Sequence, residues 1–449
     1  MVFSSILFLF YFLPVFLFLY YLLPWKNAVL LVASLLFYAW GEPRFVPLLL
    51  ASAVLNYGAG LAIERSARQR RRWLVAGVAA NLLLLAWFKY AGFLNQALGA
   101  HLALPALALP LGISFFTFQG LSYLADVYRG EVAAQTSFWR YATYKAMFPQ
   151  LIAGPIVRYR QIAAEIGERS MPNARVRAGF EQFALGLAQK VLLANTVALP
   201  ADRLFGTAPD LLSAAAAWVG LLCYTLQIYY DFCGYSNMAI GIGHMTGFTY
   251  PPNFDRPYAA RSVTEFWQRW HISLSSWFRD YLYIPLGGNR HGALRTYANL
   301  TLVFLLCGLW HGAAWTFVAW GAWHGALLVV ERMGMAASLA RLPGPLAQAW
   351  TLLAVMLGWV LFRAPDLPFA AAYFGALFGA SAHPLAHPWQ IDVGSAELVA
   401  MLLGAALALP RTTPPHWRLL RTPGAVAALA LCAISLAGGT YNPFIYYRF

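Results

Sequence analysis

Long apolar runs separated by short basic connections dominate the pattern of hydrophobic and polar positions along this chain. A membrane-spanning helix needs about 20 predominantly apolar residues, and about 11 runs approach that length. They begin near Phe3, Asn27, Arg44, Trp73, Ala106, Phe180, Leu211, Thr296, Leu346, Glu397 and Ala425. The pattern therefore predicts an all-α, polytopic integral membrane protein with about 11 transmembrane helices.

The segment 138–157 does not fit a simple span. It contains Arg140, Lys145, Pro149 and the pair Gly154–Pro155. Irregular backbone is tolerated at membrane depth where protein covers it, so we expect re-entrant helices here. No repeat, linker or soluble segment interrupts the pattern elsewhere, and a single membrane domain spanning 1–449 is expected.

Composition and charge agree with a membrane protein. Hydrophobic residues make up 60% of the chain and charged residues only 11%, too few to cover a soluble globule of 449 residues. The first run, Phe3 to Pro24, has no basic start and is predicted to be retained as a helix. The four cysteines lie in apolar stretches without a C-x-x-C pair, so they are expected to be small buried hydrophobes.

The net charge of +14 comes from arginines gathered in a few connections. These basic segments are 64–72, 158–177, 256–295 and 411–421. The positive-inside rule explains them better than nucleic-acid binding, and it places them in the cytoplasm. Counting outward from them puts both termini outside. That arrangement requires an even number of crossings, so we expect that at least one of the 11 runs is miscounted or does not cross fully.

The segment 253–295 is the richest in polar groups. Ser262 and Glu265 have the spacing of a capping box, so a helix is expected to begin at Ser262 and to end in the basic, glycine-rich loop 283–290. On a continuous helix one face would carry Thr264, Gln268, His271, Ser275 and Arg279. This polar stripe indicates either a functional surface or an interfacial helix whose polar face meets head groups or water.

The apolar run 296–330 carries two histidines, His311 and His324. On one continuous helix they would lie about 20 Å apart along the axis and about 140° apart in azimuth, so they could share a site only if the helix breaks. Gly308 and Gly312 flank His311 and would let a backbone or a substrate approach it. We therefore favour His311 as the functional imidazole and expect His324 to be a buried, hydrogen-bonded core residue.

A further polar cluster surrounds Asp231 in the apolar run that begins near Leu211. A buried carboxylate needs a cationic or hydrogen-bonding partner, and an arginine from 256–279 is the expected one. A structural ion pair is favoured over catalysis for this residue. The sequence contains neither a nucleotide-binding motif nor a metal-ligand constellation.

Several of these runs resemble the membrane-bound O-acyltransferases, within that family the bacterial branch that modifies polysaccharides. The matching runs are MFPQLIAGPIVRY (147–159), QIYYDFCGYSNMAIGIG (227–243), NFDRPYAARSVTEFWQRWHISLSSWFRDYLYIPLGGNR (253–290) and GLWHGAAWTFVAWGAWHG (308–325). The resemblance implies the fold of that family, with catalytic core motifs in 253–330. It assigns the invariant histidine to His311 and the second motif histidine to His271. Asn237 departs from the pattern, because the alginate branch usually has aspartate there.

The chain ends in a tail, 442–449, that carries Tyr446 and Tyr447. By composition alone these aromatics would anchor the last helix at the membrane interface. F-x-Y-x-x-F endings occur in the resembled branch or in its small partner subunits, and there the tyrosine is proposed to relay the acyl group. The resemblance therefore makes Tyr446, in an extracytoplasmic tail, the expected acyl relay.

The resemblance implies an O-acyltransferase of the bacterial inner membrane with no bound cofactor. Acetyl-CoA or another thioester would be the cytoplasmic donor, and an extracytoplasmic SGNH-type partner would complete transfer to a polysaccharide. Supporting roles are expected for Asp231, Gln268, Ser275, Arg279 and Asn253. The alternative function is a polytopic transporter or flippase without bond chemistry, since such proteins also bury polar groups. A lipid- or protein-modifying acyltransferase of the same family is less favoured.

Overall fold

The structure of the protein is a computed structural model that describes residues 2–100, 108–384, 388–409, 421–439 and 441–443. The contacts divide the chain into two compact units. Unit 1 comprises Met1–Gly186, Tyr235–Pro252 and Thr422–Ala427, and unit 2 comprises Leu187–Gly234, Asn253–Arg421 and Ala428–Phe449. The single domain expected from the sequence stays a prediction.

All secondary structure in the described residues is helical. The first ten α-helices are α1 (Leu13–Leu22), α2 (Lys26–Gly41), α3 (Val46–Arg65), α4 (Arg70–Leu85), α5 (Ala91–Ala97), α6 (Ile113–Arg129), α7 (Phe138–Ala146), α8 (Phe148–Leu151), α9 (Tyr159–Gly167) and α10 (Asn173–Ala188). The others are α11 (Asn195–Gly206), α12 (Ala214–Met245), α13 (Val263–Arg269), α14 (Ile272–Phe278), α15 (Gly292–His311), α16 (Trp315–Val330), α17 (Ala336–Arg341), α18 (Gly344–Arg363), α19 (Leu367–Leu377), α20 (Ser395–Ala408) and α21 (Arg421–Ala437).

Short π-helical and 3-10 segments interrupt or join these helices. The π-helical segments are Phe8–Phe12, Ala86–Tyr90, Gln189–Ala194, Arg279–Tyr283 and Glu331–Met335, and the 3-10 turns are Pro43–Phe45, Pro209–Leu211, Pro257–Ala259 and Trp389–Ile391. A π-helical turn inserts one residue into the helix and often lies at a functional position. Among the π-helical segments, Gln189–Ala194 contains Lys190, and Arg279–Tyr283 begins at Arg279.

Five stretches of helix in the described chain are long and apolar enough to cross a membrane. They are Pro43–Arg65, Arg70–Ala97, Asn173–Gly206, Gly292–His311 and Gly344–Arg363. Five more apolar stretches, Phe8–Leu22, Lys26–Gly41, Leu367–Leu377, Ser395–Ala408 and Arg421–Ala437, are shorter. The all-α prediction is confirmed, whereas the count of about 11 crossings stays a prediction.

In unit 1 the segment 138–157 forms the broken structure that its prolines and glycines predict. Two short helices, α7 and α8, replace a single span, and Lys145 at the end of α7 is completely buried. Its Nζ donates to the carbonyl of Phe116 in α6. The broken helix is therefore stabilised by protein contacts, as irregular backbone in an apolar protein requires.

In unit 2 the run 296–330 is a hairpin of two helices. Helix α15 ends at His311, the residues 312–314 form a short bend, and α16 begins at Trp315. The two helices approach so closely that a Cβ on Gly308 would lie 2.2 Å from the carbonyl oxygen of Phe317. A Cβ on Gly321 would lie 2.3 Å from that of Phe304. The glycines therefore serve close backbone packing between α15 and α16.

We predict that Gly321→Ala destabilises the protein, because the added methyl would overlap backbone atoms of Phe304 that cannot move independently. Overpacking of this kind typically costs about 1–3 kcal/mol. The matched control is Gly58→Ala in α3, where no atom lies within 4 Å of the added Cβ and where alanine has the better helix propensity. Thermal unfolding of the detergent-purified variants, followed by tryptophan fluorescence, should show a lower Tm for Gly321→Ala alone. Equal Tm values would contradict the close packing of the hairpin.

Candidate active site

Three buried histidines lie within one aromatic cluster of unit 2. His271 and His324 are 0% exposed and His311 is 5% exposed. The indole of Trp320 lies 4.8 Å from the ring of His311 and 5.1 Å from that of His324. The helix breaks after His311 and α16 folds back along α15, so the separation of about 20 Å on a continuous helix does not apply.

The hydrogen bond made by His311 determines which of its ring nitrogens is basic. Nδ1 of His311 lies 2.7 Å from the carbonyl oxygen of Cys307, one turn earlier in α15. A carbonyl oxygen only accepts hydrogen bonds, so Nδ1 carries the proton and donates it. The neutral ring therefore has its lone pair on Nε2, which is the basic nitrogen of the imidazole.

His271 is found at a break between two helices, and the predicted continuous helix is wrong at this point. Helix α13 begins after Ser262, whose side chain accepts from the backbone of Glu265 as predicted, but it ends at Arg269. His271 then adopts φ 45° and ψ 52° before α14 begins. A left-handed conformation is uncommon for a residue with a side chain, and it turns the imidazole away from the polar stripe.

The imidazole of His271 is oriented by Asn253. Nδ1 of His271 lies 3.1 Å from Oδ1 of Asn253, and the same oxygen accepts from the backbone and the hydroxyl of Ser273. Because Ser273 N–H identifies this atom as the amide oxygen, Nδ1 of His271 is the donor. No described residue hydrogen-bonds Nε2 of His271, which is buried. This nitrogen can therefore accept a hydrogen bond from a substrate.

Burial lowers the pKa of His271 well below its ordinary value, and the nearby His311 lowers it further. Burial acts in this direction because it disfavours the charged imidazolium. His271 is therefore neutral near pH 7. The ring is held in place by aromatic neighbours on two sides, with Phe232 at 4.6 Å and Trp310 at 6.0 Å between centroids.

His324 has the opposite hydrogen-bonding arrangement. The indole Nε1–H of Trp267 lies 3.3 Å from Nδ1 of His324, and an indole nitrogen is a donor only. Nδ1 of His324 is therefore the acceptor, and the ring proton is on Nε2, close to Gly358 of α18. Trp267 thus occupies the basic nitrogen of His324, while no described residue hydrogen-bonds its buried Nε2. The core role of His324 stays a prediction.

A cavity of about 490 Å³ in unit 2 is lined in part by Cys307, the residue whose carbonyl accepts from His311. Its polar lining includes Thr264, Gln268, Ser275, Arg279 and Arg332, and its apolar lining includes Val303, Phe304 and Cys307. The predicted stripe residues thus share one surface even though the helix breaks between them, while His271 is not part of it. Cys307 therefore connects the cavity to His311, because its carbonyl oxygen accepts the hydrogen bond from Nδ1 of that residue.

Charged groups around the cavity are partly compensated. Arg279 lies at its lining and donates to the carboxylate of Asp280 at 2.7 Å. Glu331, which the sequence analysis did not single out, is buried and accepts from the backbone of Val263 and of Thr264. An acidic side chain at a helix N-terminus satisfies donors that the helix leaves open, so Glu331 anchors the start of α13. The sequence signal for this role was an acidic residue directly after the apolar run 296–330.

Asp231 has a different partner from the predicted arginine. Its Oδ1 lies 2.7 Å from Nζ of Lys190, and both side chains are 2% exposed. Lys190 is a cation in the middle of the apolar stretch Asn173–Gly206, and a buried cation of this kind was the signal for a partner. Tyr446, the predicted acyl relay, lies outside the described residues.

Comparison with known proteins places these residues in a family. The sequence profile of MBOAT, the membrane-bound O-acyltransferase family, matches residues 113–360, more than half of the chain. The chain is 40% identical to a probable alginate O-acetylase AlgI of Pseudomonas putida KT2440 over 100% of both proteins. It is 44% identical to that of Pseudomonas aeruginosa PAO1, over 90% of this chain and 79% of the relative.

A relative with another acceptor is also similar. The peptidoglycan O-acetyltransferase of Helicobacter pylori 26695 is 38% identical over 86% of this chain and 81% of its own length. The buried histidines, the helical architecture and the apolar spans therefore occur in a multi-pass membrane protein with relatives that transfer acetyl groups. This chain is an enzyme of the membrane-bound O-acyltransferase family.

Proposed function

We propose that the protein moves an acetyl group from a cytoplasmic thioester, acetyl-CoA or a close analogue, towards a polysaccharide hydroxyl outside the cytoplasmic membrane. The observation that carries this proposal is the hydrogen bond from Nδ1 of His311 to the carbonyl of Cys307, which leaves Nε2 as a base in a buried site. Relatives named as alginate O-acetylase and peptidoglycan O-acetyltransferase support acetyl as the group and a glycan as the final acceptor.

In the proposed reaction Nε2 of His311 takes the proton from the acceptor hydroxyl as its oxygen attacks the thioester carbonyl carbon. The C–O bond forms, the C–S bond breaks, and the imidazolium returns the proton to the departing thiolate. A histidine suits both proton transfers because its ordinary pKa lies near neutrality. His271 accepts a hydrogen bond at its neutral Nε2 and orients one of the two substrates.

The cavity lined by 264–332 is the proposed donor site. Its lining includes Arg279 and Arg332, which suit the phosphates of a coenzyme A thioester, and Cys307, whose carbonyl accepts from His311. Gln268 and Ser275 line the same cavity and would hydrogen-bond the donor. The basic lining agrees with a donor that arrives from the cytoplasm, where the positive-inside rule places the segment 256–295.

Transfer to the outside requires an acceptor on the far side of the membrane. We assign this role to Tyr446 in the C-terminal tail, from which an SGNH-type extracytoplasmic partner would take the acyl group. A phenol, with an ordinary pKa of about 10, is a better leaving group than a sugar hydroxyl, so onward transfer is favourable. This route requires the tail to lie outside and retains the proposed arrangement of about 11 runs with both termini outside.

The same substitution in two histidines tests the proposed base. Asparagine can reproduce the Nδ1 donor of His311 towards Cys307 but has no Nε2 lone pair, so His311→Asn should lose about 10² to 10⁴ in acetyl transfer rate while folding normally. In His324→Asn, the amide oxygen can replace the acceptor used by Trp267, and transfer should remain near wild type. Transfer from radiolabelled acetyl-CoA in membranes measures both. An active His311→Asn or an inactive, stable His324→Asn would overturn the assignment.

The pH dependence of transfer tests the neutral form of His271. In Asn253→Asp a carboxylate beside Nδ1 favours the imidazolium and raises the pKa of His271. If the neutral ring is required, the acid limb of the kcat/KM profile should move to higher pH. Asn253→Ala removes the hydrogen bond without adding charge, so it should lower kcat and leave the limb in place. An unchanged limb in Asn253→Asp would exclude His271 from the titrating step.

The relay is tested by isolating the first transfer. Membranes incubated with acetyl-CoA in the absence of the extracytoplasmic partner should accumulate an acetyl ester on Tyr446, found by mass spectrometry of the C-terminal peptide. Tyr446→Phe should abolish the modification, and the neighbouring Tyr447→Phe is the matched control that should retain it. Modification that persists in Tyr446→Phe, or normal polysaccharide acetylation by that variant in cells, would leave direct transfer to a partner as the mechanism.

A further inference from the structure

The ammonium of Lys190 is enclosed by three oxygens in unit 2. Its Nζ lies 2.7 Å from Oδ1 of Asp231 and donates to Oδ1 of Asn195 at 2.7 Å. It also donates to the backbone carbonyl of Pro443, in the last stretch of described chain. Asn195 and Pro443 therefore each accept a hydrogen bond from the ammonium, and Asp231 neutralises its charge as an ion pair. One of the three comes from the C-terminal tail.

The tail is held at two further points. Nδ2 of Asn195 donates to Oδ1 of Asn442 at 3.1 Å, so Asn195 joins the lysine to the tail. The hydroxyl of Tyr441 donates to Oδ2 of Asp202 at 2.6 Å. Asp202 is in turn paired with Arg363 at 2.6 Å. Tyr441 and the first two residues of the tail, Asn442 and Pro443, are therefore bound by side chains from separate parts of unit 2.

Burying the charges of Lys190 and Asp231 costs free energy unless each charge and each N–H donor has a partner. A lysine and an aspartate that are each 2% exposed have lost nearly all contact with water. Their mutual attraction offsets this loss only when further hydrogen bonds satisfy the remaining donors. The carbonyl of Pro443 supplies one such bond. Docking of the tail and stabilisation of the ion pair are therefore linked.

The same ion pair is joined to the histidine cluster through α12. Asp231 is followed in α12 by Phe232, whose ring lies 4.6 Å from that of His271 at an interplanar angle of 89°. A tail held at Pro443 is therefore linked, through Lys190 and Asp231, to the helix that contacts His271. Three further residues lead to Tyr446, and three residues span at most about 11 Å. The anchor thus limits the region that Tyr446 can reach.

We propose that Lys190, Asp231 and Asn195 form a latch that holds Asn442 and Pro443 and so positions the C-terminal tail for acylation. The inference rests on the proposed tyrosine relay. The latch residues are positioning residues: they raise the local concentration of the tail phenol at the histidines and take no part in proton transfer. Restricting an acceptor in this way replaces a bimolecular encounter with an intramolecular one.

Substitution of Asn442 tests the latch without disturbing the buried ion pair. Asn442→Leu removes the oxygen that accepts from Asn195, whereas Asn442→Asp keeps an oxygen at that position. We expect acetylation of Tyr446, measured as an initial rate by mass spectrometry in partner-free membranes, to fall at least about tenfold in Asn442→Leu. Asn442→Asp should stay within about twofold of wild type, because its carboxylate retains the acceptor.

A small acceptor separates positioning from chemistry. N-acetyl-tyrosinamide supplied at saturating concentration does not depend on the tail, so its acetylation should be equal in wild type and both variants. Wild-type tail acetylation in Asn442→Leu would overturn the latch. Loss of transfer to the tail and to the small phenol together would overturn it also, since the amide would then support the site itself. If wild type acetylates the small phenol but not Tyr446, the relay proposal fails instead.

Discussion

The hydrogen bond between Nδ1 of His311 and the carbonyl of Cys307 determines what the buried cluster can do. In an α-helix that carbonyl also accepts from the backbone amide of His311, four residues on, so the imidazole uses the second lone pair of the same oxygen. The last turn of α15 therefore determines the tautomer of His311. The break that follows His311 has a separate effect, which is to bring α16 back along α15.

The close packing of α15 and α16 follows from that break. A chain that reverses within three residues brings two helices together over their whole length, and only glycines at Gly308 and Gly321 allow the backbones to meet. The indole of Trp320 then lies between His311 and His324. Two imidazoles thus share one aromatic environment but receive opposite tautomers, since one faces a carbonyl and the other an indole N–H.

Much of the architecture could be predicted from the sequence because apolar length and glycine or proline position act locally. The helical class, the broken segment 138–157 and the start of α13 after Ser262 all follow from such signals. The break at His271 could not be predicted, since the amphipathic pattern continues through it and only the tertiary bond to Asn253 accounts for the reversed backbone. The pairing of Asp231 with Lys190 likewise depends on contacts distant in sequence.

The candidate site was predicted better in its residue types than in its geometry. His311, His271 and Asn253 come together in unit 2, and Gln268, Ser275 and Arg279 line one cavity. The sequence pattern did not indicate that His271 lies off that surface. The role of Glu331 was not indicated either. The residues that donate to it, Val263 and Thr264, lie 68 and 67 residues earlier in the chain. Periodicity describes one helix at a time, and this site is built where helices end.

The segment around Asn253 is joined to the break between α13 and α14 by backbone hydrogen bonds as well as by the Asn253 side chain. The amide of Ile272 donates to the carbonyl of Asn253, and the amide of Asp255 donates to the carbonyl of Arg269, each at 2.9 Å. Two backbone bonds on either side of one imidazole make this crossing a rigid unit. The bond from Nδ1 of His271 to Asn253 adds a third connection between the same two segments. The left-handed backbone of His271 is thus imposed by its surroundings, since an isolated residue with a side chain disfavours that conformation.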